Sequence, residues 1–325
     1  MTVPSLRTSV VVPTYRRPHL LDRCLAALAA QDLPPEAYEV IVADDAGCPE
    51  TRRLVQAWAA RGSMPVRYVP VCGGHGPAAA RNAGWRAARG PIIAFTDDDC
   101  EPAPGWLRAG LAGFVDGVAA VSGRVLVPLP KDPTDYEWNA AQLAGSEFVT
   151  ASCFYRREAL AAAGGLDERF RLAWREDTDL FFTLLSRGAR LAHAEGAVAV
   201  HPVRPAGWGV SLRQQRKSMY NALLYKKHAR LYRARIQPAP PWHYYAAVGA
   251  LLAAGAAGTT GHLRLAAGAA AGWLALTARF CAMRLRGTSR APGHVVEMAV
   301  TSALIPPLSV YWRLRGAVKF RVLFL

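Results

Sequence analysis

Short apolar runs alternate with longer amphipathic segments over the first 123 residues. The runs are rich in β-branched side chains, as in SVVVP and YEVIVADD, which is typical of strands buried on both faces of a sheet. We predict five strands, at residues 9–13, 38–45, 66–71, 91–99 and 118–123, with helices near residues 17–30, 50–61 and 77–89. Strands separated by helices form βαβ units, so the pattern indicates an α/β fold with a mostly parallel sheet.

Residues 124–203 have a less regular pattern. FVTASCFYRREAL (148–160) predicts a strand that runs into a helix. WREDTDLFFTLLSRG (174–188) predicts a helix with an acidic first turn and a glycine stop. Two short β segments follow, in ARLAHAEG and AVAVHPV, and we place the end of the first domain at residue 203.

The next segment is basic and rich in aromatic side chains. Residues 204–235 hold nine Lys and Arg and no acid, interleaved with leucine, tyrosine and tryptophan. This composition predicts a basic amphipathic helix on a membrane surface, within an interfacial helix and linker at residues 204–240. An ordinary surface helix of the preceding domain is the alternative.

Long apolar runs dominate residues 241–325. The runs at about 242–260 and 265–283 predict a transmembrane hairpin whose basic flanks favour the cytoplasmic side for both ends. A third stretch, at about 295–312, is interrupted by Pro306 and Pro307, and a full span would place the basic residues after it outside, against the positive-inside tendency. We therefore predict a re-entrant or interfacial segment there. A soluble, alanine-rich helical domain is the alternative for the whole region.

The formal net charge of +15 is confined to the C-terminal part of the chain. Residues 1–195 carry 21 Lys and Arg against 23 Asp and Glu, whereas residues 196–325 carry 18 against the single acid Glu297. Because these basic residues flank apolar runs, the charge favours a membrane with anionic lipid as partner. The sequence has no recognition helix, zinc finger or RNA-binding signature, so we expect no nucleic-acid partner.

Two further features of the sequence indicate the cellular compartment of the first domain. The six cysteines are scattered without metal-ligand spacing, which predicts buried thiols in a reducing compartment. The apolar run within residues 1–18 is too short for the hydrophobic region of a signal peptide. We therefore expect the first domain in the cytoplasm.

Polar side chains follow three of the predicted strands at the point where each strand ends. Thr14 and Tyr15 follow the first strand, Asp44 and Asp45 the second, and Asp97 to Asp99 the fourth. Ligands of open α/β sheets bind at the carboxyl ends of the strands. We therefore expect these three groups to form one site.

Three consecutive aspartates repel one another unless a cation lies among them. Their hard oxygen ligands suit Mg²⁺ or Mn²⁺, and such an ion neutralises the charge of a departing diphosphate. Glu176 and Asp177, in the acidic first turn of a predicted helix, are candidates for a general base. Favourable interaction with the helix dipole is the alternative reading of these two acids.

Six segments of residues 7–203 match the motifs of one known family in order: SVVVPTYRRP, VIVADDAG, GHGPAAARNAG, IIAFTDDDC, YRREALAAAGGLDERF and WREDTDL. On these motifs the sequence resembles the family 2 glycosyltransferases, which have the GT-A fold. The resemblance implies that residues 1–203 form a GT-A catalytic domain. It also implies an inverting transfer from a nucleotide-diphosphate sugar, with UDP as the favoured nucleotide.

The resemblance also implies roles for individual residues. The implied nucleotide-binding residues are Pro13, Thr14, Tyr15, Asp44, Asp45, Arg81, Asn82 and Asp97. The implied metal ligands, for Mn²⁺ or Mg²⁺, are Asp99, Asp97 and His201. Asp177 is the implied catalytic base, with Glu176 as second choice. The sequence departs from the family at Ser152, where members often have asparagine, and this weakens any transfer of donor identity.

If Asp177 is the base, a hydroxyl acceptor is favoured, and the C-terminal apolar region makes it a lipid-linked glycan or glycolipid at the cytoplasmic face of the inner membrane. A polyprenyl-phosphate glycosyltransferase and a catalytically degenerate nucleotide-sugar binder are the alternatives. A nicotinamide enzyme is disfavoured. GHGPAA (74–79) does match the dinucleotide-binding fingerprint G-x-G-x-x-A. A nicotinamide enzyme would not, however, need the triple aspartate or WREDTDL.

Overall fold

The computed structural model describes residues 6–325. Residues 1–5, which begin both the predicted 1–203 domain and the apolar run within residues 1–18, lie outside the described residues. The strands within this range are β1 Thr8–Thr14, β2 Tyr38–Asp44, β3 Val66–Pro70, β4 Ile92–Phe95, β5 Glu101–Pro102, β6 Val118–Leu126, β7 Cys153–Arg156 and β8 Arg190–Val200. The helices are α1 Pro18–Ala29, α2 Pro49–Arg61, α3 Pro77–Ala87, α4 Trp106–Ala112, α5 Asp135–Ala141, α6 Arg157–Ala163, α7 Glu176–Ser186, α8 Val210–Gln214, α9 Met219–Arg235, α10 Trp242–Thr259, α11 Leu263–Arg284 and α12 Pro292–Phe320.

The chain divides into two compact units. The sheet unit comprises the residues up to Pro128 and Gln142–Pro202, and the helical unit comprises Leu129–Ala141 and Val203–Leu325. The sequence pattern did not predict that 129–141, which contains α5, groups with the C-terminal helices.

The sheet unit is a mixed sheet with the strand order β3-β2-β1-β4-β7-β6-β8-β5. Its first four strands are parallel, as predicted from the alternation of strands and helices. Strand β7 is antiparallel to both β4 and β6, whereas β8 is parallel to β6. The apolar residues of β1, such as Val10 and Val12, are completely buried, because helices cover both faces of a parallel sheet.

The predicted strands and helices of the first 123 residues are confirmed, with small differences at their ends. Strand β4 ends at Phe95, so the aspartates lie in the turn after it and not in the strand. The two β segments predicted after residue 188 form the single strand β8. Strand β5 was missed because two residues carry no periodicity, and pairing with the distant β8 is what makes them a strand.

The two apolar runs predicted to form a transmembrane hairpin are helices α10 and α11, and their crossing of a membrane stays a prediction. The side chains of these helices are largely exposed: Leu252 is 68% exposed and Leu265 is 66% exposed. Helices α11 and α12 are long and apolar enough to cross a membrane, and no other helix of residues 6–325 meets both conditions.

Two predictions for this unit need correction. Helix α12 is continuous through Pro306 and Pro307, so the predicted interruption is wrong. Two adjacent prolines remove only two backbone donors, and packing that buries Ile305 and Pro306 supports the helix around them. The basic segment was predicted to form an amphipathic helix. In helix α9, however, every residue from Met219 to Leu224 is buried, so the first turns have no exposed face. Only the later part of α9 is basic and accessible.

Close packing of α3 on β1 generates the first testable prediction. A Cβ added at Gly84 in α3 lies 2.3 Å from Cγ1 of the buried Val11. We expect Gly84→Ala to destabilise the sheet unit by about 1–3 kcal/mol through overpacking, although alanine favours a helix over glycine. The thermal midpoint of the full-length protein in detergent, followed by tryptophan fluorescence, should decrease by roughly 2–4 °C per kcal/mol.

Gly145→Ala is the matched control in the same unit, because an added Cβ there meets no atom within 4 Å. A midpoint for Gly84→Ala equal to that of Gly145→Ala would refute the role of this close approach.

Candidate active site

The site lies where the strand order reverses. Strand β2, which follows β1 in the chain, pairs with one edge of β1, and β4 pairs with the opposite edge. Thr14 ends β1, and the turn with the three aspartates follows β4. Open α/β sheets bind their ligands in the crevice at such a reversal.

Asp98 ties the two strand ends together. It accepts a hydrogen bond from Thr14 Oγ1 at 2.8 Å, and Arg17 Nη1 lies 3.3 Å from its other oxygen. Its side chain is nearly buried, and burial raises the pKa of Asp98 to about 6 despite the charge of Arg17. The middle aspartate therefore has a positioning role inside the turn.

The flanking aspartates belong to a potential cation site. One ligand atom from each of Asp97, Asp99, Cys100 and His201 lies within 4.8 Å of the others. His201 Nε2 lies 3.5 Å from Asp99 Oδ1. Two carboxylates and an imidazole fit a divalent cation such as Mn²⁺. Cys100 was not among the predicted ligands.

Arg81 bridges the donor side and the acidic helix start. From α3, its Nη2 donates to Asp97 Oδ1 at 2.6 Å and its Nη1 donates to Glu176 Oε1 at 3.0 Å. The side chain is almost fully buried. Burial by itself lowers the pKa of Arg81, but the charges of Asp97 and Glu176 outweigh that effect and raise it above its usual value. Arg81 therefore remains a cation held between two carboxylates.

The predicted pair of catalytic acids begins α7, directly after Arg175 in the left-handed conformation at φ +77°. Both oxygens of Glu176 are engaged: Oε1 accepts from Arg81 and Oε2 accepts from the Trp174 backbone N–H at 2.7 Å. Asp177 Oδ1 accepts from the backbone N–H of the adjacent Thr178 at 2.6 Å. Burial raises the pKa of Glu176 to about 7, and burial also raises the pKa of Asp177.

The two aspartates after β2 order the loops at the edge of the crevice. Asp44 is fully buried and accepts from the backbone N–H groups of Ala46 and Cys48 and from the Tyr68 hydroxyl. Burial, together with the hydrogen bond to Asp44, raises the pKa of Tyr68 to about 12. Asp45 accepts from the backbone N–H of Gly76 at 2.8 Å.

Asn82 is saturated by hydrogen bonds within the protein. Its Nδ2 donates to the Leu166 carbonyl and to Glu168 Oε1, both at 2.8 Å. Its Oδ1 accepts from the Leu166 backbone N–H and from Trp85 Nε1. In this conformation Asn82 therefore holds the loop that follows α6, and its predicted contact with a nucleotide stays a prediction.

The remaining predicted residues divide by exposure. Pro13 is buried inside β1 beside Ala43 of β2, whereas Tyr15 is 50% exposed at the strand end. Ser152 is also buried, with its hydroxyl donating to the Ala197 carbonyl and accepting from Trp106 Nε1. Its role here is therefore to join three elements of the core.

Sequence reasoning missed Arg17, Tyr68 and Cys100. Arg17 carried a usable signal, since it follows a strand end within PTYRRP. Cys100 also carried one, as the residue next to Asp99. Tyr68 carried none, because its contact with Asp44 depends on the pairing of β3 with β2.

The bridge through Arg81 generates the second testable prediction. We expect Arg81→Met, which keeps the apolar stem, to destabilise the protein by about 3–5 kcal/mol, because Asp97 and Glu176 lose their buried cation. The loss should be smaller below the Glu176 pKa of about 7, where that carboxyl is protonated, and should increase as the pH rises through that value. Thermal midpoints of the full-length protein measured between pH 5 and 8 test both statements.

Arg86→Met is the control, since Arg86 lies on the same helix but is exposed and pairs at 3.5 Å with the half-exposed Glu168. Equal effects of the two substitutions at every pH would contradict the prediction.

Two family models match the chain. The model for glycosyl transferase family 2 matches residues 9–161. The model for glycosyl transferase family group 2 matches residues 134–314, which is more than half of the 325 residues.

Individual relatives cover parts of the chain. The validoxylamine A glucosyltransferase of Streptomyces hygroscopicus subsp. limoneus is 41% identical over 105 residues, which are 32% of this chain and 23% of that protein. Glycosyltransferase AglE of Haloferax volcanii is 27% identical over 210 residues, which are 61% of this chain and 68% of that protein. The chain thus spans less than a quarter of the first of these relatives.

Among solved structures, the mannosyltransferase of Pyrobaculum calidifontis in complex with GDP-mannose and Mn²⁺ matches 98% of this chain and 87% of its own. The TM-score is 0.57 at 23% identity, which shows a shared fold and no more. That fold is the GT-A fold implied by the sequence motifs. Because the model for glycosyl transferase family group 2 covers more than half of the chain, the chain belongs to that family group.

Proposed function

We propose that the protein is an inverting glycosyltransferase that moves a sugar from a nucleotide-diphosphate sugar to a hydroxyl acceptor. One observation carries the proposal: Arg81 links Asp97, in the candidate cation group, to Glu176 beside Asp177. Donor activation and deprotonation of the acceptor are then performed by neighbouring groups of one crevice.

Asp97 and Asp99 are suited to the donor side. Their carboxylates and His201 offer ligands for Mn²⁺ or Mg²⁺, which supplies charge neutralisation for the departing nucleoside diphosphate. Thr14 and the half-exposed Tyr15 lie at the end of β1, where the nucleotide of the donor would contact the protein. UDP is the proposed nucleotide on the family resemblance, and GDP is its competitor, since the Pyrobaculum mannosyltransferase was solved with GDP-mannose.

Asp177 is the better candidate for the base. Both oxygens of Glu176 accept hydrogen bonds from Arg81 and Trp174, which fixes that carboxylate in place. Asp177 accepts at Oδ1 from the neighbouring Thr178, and burial makes it a stronger base by raising its pKa. A base is needed for a neutral hydroxyl, whereas a polyprenyl phosphate is already an anion, so Asp177 favours a hydroxyl acceptor.

The helical unit supports action at a membrane. Helices α11 and α12 have the length and apolar composition to cross a bilayer, and the apolar side chains of α10 and α11 are largely exposed. Basic residues lie between the two helices, such as Arg286 and Arg290, and these suit an anionic cytoplasmic leaflet. We therefore infer a lipid-linked glycan or glycolipid as acceptor at the cytoplasmic face of the inner membrane.

Asp177→Asn provides the third testable prediction. We expect transfer to fall by roughly 10²–10⁴-fold, because the amide cannot accept the proton of the acceptor hydroxyl. Binding of the cognate nucleotide, titrated calorimetrically with UDP, GDP and dTDP in the presence of Mn²⁺, should remain within about threefold of wild type, since Asp177 stabilises the transition state and not the ground state.

Asp99→Asn is the matched comparison and should lose nucleotide binding that depends on Mn²⁺. In the wild type, the rate of transfer should fall as the pH falls through the raised pKa of Asp177, because only the carboxylate accepts a proton. Full activity of Asp177→Asn would rule out its role as base. Folded wild type that binds none of the three nucleotides would favour a degenerate protein without transferase activity.

The membrane assignment provides the fourth testable prediction. Leu274 and Leu304 lie near the middles of α11 and α12 and are 57% and 45% exposed. Each Leu→Lys substitution costs roughly 2.5–3.5 kcal/mol at the centre of a bilayer. We expect the wild type to stay in the membrane fraction after an alkaline carbonate wash and the double variant Leu274→Lys, Leu304→Lys to be released.

Leu126→Lys in β6 of the sheet unit is the control, because Leu126 is 37% exposed and lies in no apolar helix. Release of the wild type under the same wash would contradict membrane insertion.

A further inference from the structure

We propose that Arg17 binds the diphosphate of the donor and makes the site selective for nucleoside diphosphates. The inference rests on the proposed function and adds to it a cation that the protein itself supplies. Arg17 is not a member of the group whose ligand atoms lie within 4.8 Å of one another around the flanking aspartates. It would therefore act beside a bound metal and not as one of its ligands.

Arg17 borders the turn with the aspartates. Its Nη1 lies 3.3 Å from Asp98 Oδ1 and 4.0 Å from Asp99 Oδ2. The other oxygen of Asp99 lies 3.5 Å from His201 Nε2, within the candidate cation group. The guanidinium is thus next to a carboxylate that would hold the cation, and a diphosphate bound to that cation would come close to Arg17.

The hydrogen bonding of Arg17 is incomplete, unlike that of Arg81. Both terminal nitrogens of Arg81 donate to carboxylates, and its side chain is only 4% exposed. The side chain of Arg17 is 36% exposed, and Nη1 is its one nitrogen with a side-chain partner among residues 6–325. Its Nε and Nη2 are therefore able to donate to a ligand that enters the crevice.

The contact with Asp98 does not commit Arg17 to a structural role. Asp98 accepts a hydrogen bond from Thr14 Oγ1 at 2.8 Å, which is shorter than its 3.3 Å contact with Arg17. The bond to Thr14 joins the ends of β1 and β4 without help from Arg17. A movement of the guanidinium toward a ligand would therefore break one long hydrogen bond and leave this junction in place.

A diphosphate suits these unused donors. The planar guanidinium can donate two parallel hydrogen bonds to phosphate oxygens, and it stays protonated at every physiological pH. A nucleoside diphosphate also carries more negative charge than one divalent cation neutralises. A second, fixed cation at the edge of the crevice would bind the remaining charge, and a nucleoside without phosphate would gain nothing from it.

The experiment is a calorimetric titration of the detergent-solubilised full-length protein with UDP, GDP and dTDP and with the corresponding nucleosides. Each titration is made with Mn²⁺ and with excess EDTA, which separates the contribution of Arg17 from that of the metal. We expect Arg17→Gln to weaken binding of the cognate diphosphate by roughly 10–100-fold in both conditions, because charge-assisted hydrogen bonds are lost. Binding of the nucleoside should change by less than about threefold.

Two further variants complete the design. Arg17→Lys keeps the charge but loses the planar fork, so it should weaken binding of the diphosphate less than Arg17→Gln does. Arg23→Gln is the matched control, because Arg23 lies on α1, is 60% exposed and pairs with Glu101. It removes the same charge from the same unit and should leave binding within about threefold of wild type.

The outcomes separate this proposal from the proposed function. Equal weakening of diphosphate and nucleoside binding by Arg17→Gln would show a structural role and overturn the proposal. Unchanged diphosphate binding would also overturn it, as would a wild type that in EDTA binds the diphosphate no more tightly than the nucleoside. These results leave the transferase intact, whereas a folded wild type that binds none of the three diphosphates would overturn the proposed function itself.

Discussion

The buried guanidinium of Arg81 is the interaction on which the site depends. Asp97 and Glu176 come from separate parts of the chain, and both accept a hydrogen bond from this guanidinium, at 2.6 Å and 3.0 Å. Without a cation between them, these carboxylates would be protonated or would separate, because a buried charge is costly unless it is paired. Arg81 thus determines how far the turn after β4 lies from the start of α7.

The carboxylates around Arg81 are chemically similar but have different hydrogen-bond partners. The Asp98 carboxylate accepts hydrogen bonds from Thr14 and Arg17. The Glu176 carboxylate accepts hydrogen bonds from Arg81 and Trp174. Both side chains therefore serve to position other groups. Asp97 and Asp99 face the histidine and cysteine that complete a possible cation site. Five acids in two short sequence motifs therefore have at least three distinct environments, and their pKa values differ because burial and hydrogen bonds differ at each position.

The sequence predicted the fold well where the signal was local. Strands β1 to β4 and helices α1 to α3 follow from apolar periodicity, because each is long enough to show its own pattern. The sequence failed where the outcome depended on distant partners. The two-residue strand β5 exists through pairing with β8, and α12 continues through Pro306 because surrounding residues bury it. The saturated hydrogen bonding of Asn82 depends on a loop more than eighty residues away.

By itself, the sequence determined the order of the elements, the family motifs, the acidic residues available for chemistry and the separation of charge between the two ends of the chain. These follow from residue identity and spacing, which need no knowledge of long-range contacts. Tertiary structure alone decided which carboxylates are held by hydrogen bonds within the protein, as Asp98 and Glu176 are, and which lie in the candidate cation group, as Asp97 and Asp99 do. The fold also places the Cys100 thiol within 4.8 Å of ligand atoms from two aspartates and a histidine. The physical reason is that burial and pairing, which set the charge and availability of each group, arise only when segments distant in the chain pack against one another.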